Sequence, residues 1–122
     1  MPRLPIITEV KTRDDFAKLL LTNPGLIIIK FGAEWCGPCK KIEGLVHDWF
    51  QHTNELVQCV LIDVDECFDF YGFLKSKKMV NGIPVILSYE KGNANYIPND
   101  IVIGADASKI NEFFQRNLQK VM

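Results

Sequence analysis

At 122 residues the chain is expected to fold as one domain over residues 1–122, burying about two thirds of the surface its unfolded form exposes, so neither a metal nor a disulfide framework is needed for stability. Hydrophobic residues make up 48% and charged residues 24%, which is the composition of an ordinary globule rather than a disordered or disulfide-scaffolded chain. A net charge of -1 offers no basic footprint for nucleic acid or an anionic membrane, and the expected partner is another protein.

The N-terminal residues Met1 to Ile7 are soon followed by Glu9, Lys11, Arg13, Asp14 and Asp15. That leaves no apolar run of signal-peptide length, and no segment approaches the roughly 20 apolar residues of a membrane span. The reading is a cytoplasmic protein, with the nucleus left open. Ile6 to Val10 is expected to form a first strand. Thr12, with Asp15 three residues on, starts a helix carrying Phe16, Leu19 and Leu20, and Asn23-Pro24-Gly25 ends it. Leu26 to Phe31 is apolar on both faces apart from Lys30, the pattern of a central strand covered by helices on both sides.

From Cys36 onward, Ile42, Leu45, Val46, Trp49 and Phe50 recur at helical spacing. Val57 to Val64 is the next strand. Cys67, Phe70, Tyr71 and Leu74 then return to helical spacing before Asn81-Gly82. Pro84 to Tyr89 and Tyr96 to Ile103 flank Glu90-Lys91-Gly92-Asn93 and predict an antiparallel hairpin. A last helix starting near Asp106 or Ser108 presents Ile110, Phe113, Phe114 and Leu118 on one face. This order predicts an α/β protein whose mixed sheet has a parallel core and an antiparallel edge, because parallel neighbours need helical crossovers.

Four cysteines are present, and their distribution, one close pair plus the lone Cys59 and Cys67, does not suit a secreted disulfide scaffold. Cys36 and Cys39 stand where the buried strand gives way to a helix, the context in which two thiols separated by two residues exchange electrons with a disulfide. Only a thiolate attacks a disulfide, so the site must depress one thiol's pKa. Cys36 falls at the helix N-terminus, where unpaired N–H groups and the helix dipole favour negative charge, and it is assigned as the nucleophile. Cys39, one turn inward, is placed to attack the mixed disulfide and release the reduced substrate. Pro38 suits a first helical turn, and Gly37 permits close approach of a partner chain.

A Cys-x-x-Cys pair is also half of a zinc knuckle. The second half is missing, since neither Cys59 with Cys67 nor His47 with His52 has common ligand spacing, and no metal is assigned. Cys59 lies within an apolar strand and reads as core. Cys67 is taken as an unreactive helix-start residue in preference to a regulatory thiol, His47 and His52 as solvated helix positions, and Asp63 and Asp65 as a solvated acidic loop in preference to groups that act on the cysteine pKa from the strand end.

The run Ala33-Glu34-Trp35-Cys36-Gly37-Pro38-Cys39-Lys40 resembles the active site of the thioredoxin family without a gap. Gly82-Ile83-Pro84 and the Gly104 region also fit, and the layout matches over essentially the whole chain. The resemblance implies a thioredoxin fold, with a central mixed sheet of about five strands flanked by about four helices. It further implies a cis Ile83–Pro84 bond facing the cysteines, so that Ile83 pairs with the main chain of an extended substrate; from local sequence alone Pro84 is an ordinary strand-starting proline. By the same resemblance Trp35 is a flat contact surface beside Cys36 and Gly104 lines the substrate groove, where the plain alternatives are a core aromatic and a helix-entry turn.

The chain departs from the family at four inner positions. Lys30 stands where the family usually has a buried Asp that helps move the proton of the second cysteine, and Leu61 aligns with its buried Lys. Gly44 replaces a helix-kinking proline, and Gly32 replaces a common aromatic. Lys30 is therefore assigned either to accept the Cys39 proton or favour its thiolate, or simply to snorkel to water. A few additional residues between Asp65 and Pro84, and around Asn93 to Ile101, offer a partner-specific surface. The predicted function is reduction of protein disulfides by a monomer without a bound cofactor. By resemblance its electrons come from NADPH through a flavin-dependent thioredoxin reductase, and ribonucleotide reductase or peroxidases are substrates. The alternative is a binding module that keeps the fold and docks partners in the Trp35/Pro84 groove.

Overall fold

Thr12 begins the first helix, its side chain accepting the Asp15 N–H at 3.1 Å. A computed structural model of the chain describes residues 3–122, and Met1 and Pro2 of the expected domain lie outside that range. Helix α1, Arg13–Leu21, leads into β1, Leu26–Gly32. Next come α2, Gly37–Lys41, and α3, Glu43–Gln51, and then β2, Val57–Asp63. The second half holds α4, Phe68–Ser76, strands β3, Val85–Glu90, and β4, Asp100–Ile103, helix α5, Ala107–Leu118, and a short 3₁₀ turn at Gln119–Val121.

The four strands form one sheet in the order β2-β1-β3-β4. β1 pairs parallel with β2 and antiparallel with β3, and β3 pairs antiparallel with β4. Every residue of β1 is buried, because it is an interior strand with helices on both faces. Side chains alternate between those faces. Ile27, Ile29 and Phe31 join Phe16, Phe70 and Leu74 of α1 and α4 in one core, while Leu26 and Ile28 join Val46, Phe50, Ile110, Phe113 and Phe114 of α3 and α5 in the other. By the same alternation Lys30 belongs to the α3 side, and this parity places its ammonium near the cysteines.

Three elements are shorter than the sequence pattern predicts. The first strand reduces to one bridge, Ile7 with Val60, made by Ile7 N–H to Cys59 O (3.1 Å) and Leu61 N–H to Ile7 O (2.9 Å). Pro5 carries no N–H, its carbonyl is taken by the Gln58 side chain at 2.9 Å, and Thr8 and Glu9 turn out to solvent, so no ladder develops. The single helix expected from Cys36 onward divides at Ile42, which ends α2 and begins α3 with φ -109° and ψ 1°, next to the weak helix former Gly44. The hairpin arm expected from Tyr96 narrows to Asp100–Ile103 because asparagine side chains claim the backbone groups a ladder would use. Asn93 Nδ2 donates to Ile97 O (2.9 Å), Asn95 Oδ1 accepts from Ile97 N–H (3.0 Å), and Asn99 Oδ1 accepts from Glu90 N–H (2.8 Å).

Helix α5 is fastened to the sheet by a polar cluster. Its Asp106 cap accepts the N–H groups of Ser108 (2.9 Å) and Lys109 (3.2 Å). Farther along, Asn117, fully buried, accepts from Ser88 Oγ at 2.8 Å and donates to Asp100 at 2.8 Å. Arg116 grips the same carboxylate through Nε at 2.6 Å and its terminal nitrogen at 3.0 Å. Burial alone would raise the Asp100 pKa, but donors from Arg116, Asn117 and the Ile101 N–H together hold it below the usual carboxylate range. A carboxyl depressed in the folded state adds stability above its unfolded pKa, and that contribution is lost as pH falls through the folded value. Asp100→Asn is therefore expected to be less stable than wild type at neutral pH, with the gap closing below about pH 4. Chemical denaturation across pH checks this, and a gap that stays constant into acid contradicts it.

Candidate active site

Cys36 is the N-cap of α2, with extended backbone (φ -87°, ψ 105°), and its sulfur accepts the Cys39 N–H at 3.1 Å. Pro38 occupies the first turn, where a missing N–H costs nothing. Cys36 and Cys39 are joined in a disulfide with their Cα atoms 5.3 Å apart. The structure thus describes the oxidised state. Both residues are buried, at 4% and 3% exposure, under an exposed lip of Glu34, Trp35, Gly37 and Pro38. The lip, rather than either sulfur, forms the outer surface here.

Of the predicted contact residues, Ile83 is the one the structure places against the Cys36 sulfur. The Cys36 Sγ lies 4.0 Å from the Ile83 carbonyl oxygen, and the Ile83–Pro84 bond is cis. The Gly104 N–H donates to Pro84 O at 2.9 Å, continuing the β3–β4 pairing that ends at Val85 with Ile103. Gly104 has φ 93°, a left-handed conformation in which a side chain is strained. Trp35 is 69% exposed, and its Nε1–H donates to Asp65 Oδ2 at 2.7 Å. Asp63 in turn accepts the N–H groups of Asp65 (2.8 Å) and Glu66 (3.4 Å). The acidic loop thus anchors the indole, a role that neither a solvated loop nor an influence on the cysteine pKa anticipates. The signal available was two aspartates at the end of a parallel strand adjacent to β1.

Lys30 is 8% exposed and sits between Leu61 and Ile86 on the neighbouring strands. A β-carbon built on Gly32 would stand 3.6 Å from both the Lys30 Nζ and the Cys39 Sγ, so the ammonium and the inner sulfur face each other across the space this glycine leaves open. Burial lowers the Lys30 pKa, and the negative charge of Glu43 works against that shift. Gly44 has open space around its missing side chain. Together these positions open a groove of about 980 Å³ whose lining includes Lys30, Gly32, Cys39, Glu43, Gly44 and Leu61.

The remaining titratable candidates lie apart from this centre or stay on its rim. Cys59 and Cys67 are free and buried. Burial pushes the Cys59 thiol up to about 11, despite a hydrogen bond with Thr53. His47 and His52 are exposed, as expected of solvated helix positions. Among the described residues no group of three or more His, Cys, Asp or Glu side chains could hold a metal ion.

The family model described as Thioredoxin matches residues 7–116. The chain belongs to the thioredoxin family. A thioredoxin of Echinococcus granulosus is 34% identical over 103 residues, spanning 84% of this chain and 88% of that protein. Thioredoxin-2 of Saccharomyces cerevisiae is 26% identical over 113 residues, or 93% and 100% of the two chains. Among solved structures, the thioredoxin of Trichomonas vaginalis superposes with a TM-score of 0.74 at 25% identity, covering 92% of this chain and 96% of that one. The protein accordingly has the thioredoxin fold and is a thiol-disulfide oxidoreductase that reduces protein disulfides. No helix among the described residues is long and apolar enough to cross a membrane.

Proposed function

We propose that Cys36 carries the chemistry and Cys39 completes it. In the reduced protein the Cys36 thiolate attacks one sulfur of a substrate disulfide, forming a mixed disulfide and expelling the substrate's other sulfur as a thiolate. Cys39, deprotonated, then attacks the Cys36 sulfur, closes the intramolecular disulfide and releases the second substrate thiolate, so two electrons pass to the substrate. The observation that carries this reading is the Cys36 sulfur accepting the Cys39 N–H at 3.1 Å at the first turn of α2, a donor that favours the thiolate over the thiol. Trp35, Gly37, Pro38, Ile83, Pro84 and Gly104 form the substrate contact, with the Ile83 backbone pairing an extended peptide.

We assign Lys30 a positive charge beside the inner sulfur, favouring the Cys39 thiolate and so its attack on the mixed disulfide. Recharging by NADPH through a flavin-dependent thioredoxin reductase, action as a monomer and residence in the cytoplasm belong to the same reading, supported by the family resemblance. Insulin-disulfide turnover with dithiothreitol as the electron source tests it: catalysis is expected, whereas an inactive wild type that still binds protein partners supports a docking module. For Lys30, alkylation of Cys39 is followed against pH in a Cys36→Ser background. Lys30→Leu is expected to shift that profile to higher pH and slow the reaction about tenfold near neutrality. An unchanged profile removes Lys30 from the mechanism.

A further inference from the structure

The groove behind Cys39 is lined in part by this residue, which is 3% exposed and which the protein-docking face does not use. Cys39 lines it and Cys36 does not, because Cys36 faces Ile83 on the other side. One wall is the end of β1 and β2, the other is α2 with the first turns of α3, and its volume of about 980 Å³ is that of a small-molecule site. Lys30 is more than nine-tenths buried, and no ion pair among the described residues engages its ammonium. Nor is that nitrogen sealed away without a partner; it opens into the groove. Glu43 is the negative charge that acts on Lys30, but it makes no ion pair with it, so the buried ammonium keeps donors open to an anionic group, here beside a sulfur.

We propose that this groove is a second entrance to the redox centre, admitting a low-molecular-weight thiol that carries a carboxylate. The inference rests on the roles given above to Cys36 and Cys39. The carboxylate pairs with Lys30, and the thiolate attacks Cys39 Sγ from the side away from Cys36. A bond forms between the small thiol and Cys39, the Cys36–Cys39 bond breaks, and Cys36 leaves as a thiolate stabilised by the Cys39 N–H. A second molecule of the thiol attacks the sulfur of the first, giving the small-molecule disulfide and the Cys39 thiolate, which takes a proton. Two thiols supply the two electrons, and the protein is recharged without a protein reductase. Glu34, Glu43, Asp63 and Glu66 also border the groove, as does Lys40, so a ligand carboxylate is confined to the lysines and an ammonium on the same ligand is accommodated at the acidic rim.

The reverse of the second step is directly measurable. In Cys36→Ser, Cys39 is treated with bis(carboxymethyl) disulfide, with neutral bis(2-hydroxyethyl) disulfide and with cationic cystamine. Adducts are assigned by peptide mapping, which separates Cys39 from Cys59 and Cys67. The anionic disulfide is expected to modify Cys39 about tenfold faster than the neutral one, with cystamine slower still. In Lys30→Leu that ratio is expected to fall to about one; taking the ratio within each variant cancels any change in the ionisation of Cys39 itself. Gly32→Ala, which places a methyl between the two groups, is expected to slow the anionic reagent and serves if Lys30→Leu does not fold. Equal rates for the three reagents, a preference that survives both substitutions, or an unreactive Cys39 overturn the proposal. Insulin turnover by the wild type separates the two readings: if it is intact, only the second entrance is lost, and if it is absent, the roles of Cys36 and Cys39 fall as well.

Discussion

Cys36→Ser is expected to lower insulin-disulfide turnover by at least about a thousandfold, because a neutral hydroxyl neither attacks sulfur at a useful rate nor forms the mixed disulfide through which exchange proceeds. Cys39 cannot take over on the docking face. It is the Cys36 sulfur that lies 4.0 Å from the Ile83 carbonyl oxygen, whereas Cys39 lines the groove that holds Lys30. The loss should come without a change of fold, since the Cys36 sulfur accepts a single N–H that a serine hydroxyl also accepts, and Ser is a favoured N-cap. Turnover and far-ultraviolet circular dichroism measured on the same sample check both halves of the claim. Activity within tenfold of wild type would move the chemistry to another residue.

Phe70→Ala has the largest expected effect on stability, a loss of about 3–5 kcal/mol. Phe70 is fully buried in the core on the α4 side of the sheet. Its ring lies 4.7 Å from that of Phe16 in α1 and 5.4 Å from that of Phe31 in β1, so truncation opens a void at the junction of three elements. Phe68, two residues earlier and 75% exposed, is the internal comparison: Phe68→Ala should stay within about 0.5 kcal/mol. Guanidinium denaturation of the two variants decides between them. Similar values for both would mean that the α4 face is not packed as described. Phe31 immediately follows Lys30, so a loosened core is also expected to blur the placement of the ammonium beside Cys39.

The parts of this molecule legible in its sequence are those fixed by local pattern. Strand β1 shows as an apolar run broken only by Lys30, Thr12 caps its helix as predicted, and of the two starts offered for the last helix Asp106 is the cap. The position of the cysteine pair follows from a strand meeting a helix, and the side taken by Lys30 follows from counting alternate residues from Leu26. What stays hidden depends on chain segments far apart in sequence. Asn117 reads as a polar helix residue and is buried only because Ser88 and Asp100 meet it across the sheet. Asp65 reads as loop, yet holds the Trp35 indole. The hairpin is shortened by asparagine side chains whose mutual reach is not a periodic signal. The groove exists because Gly32, Gly44 and Leu61 are small or apolar around one charge, a sum over three elements that no single window displays. The burial of both sulfurs is likewise set by the lip folded over them.

The most direct test is to capture the mixed disulfide. With Cys39→Ser, the attack on a substrate disulfide should stop after its first step, leaving substrate joined covalently to the protein in a species that dithiothreitol dissolves. Digestion and mass spectrometry should place that bond on Cys36. An adduct on Cys59 or Cys67 instead, or none from a variant that remains folded, would contradict the account.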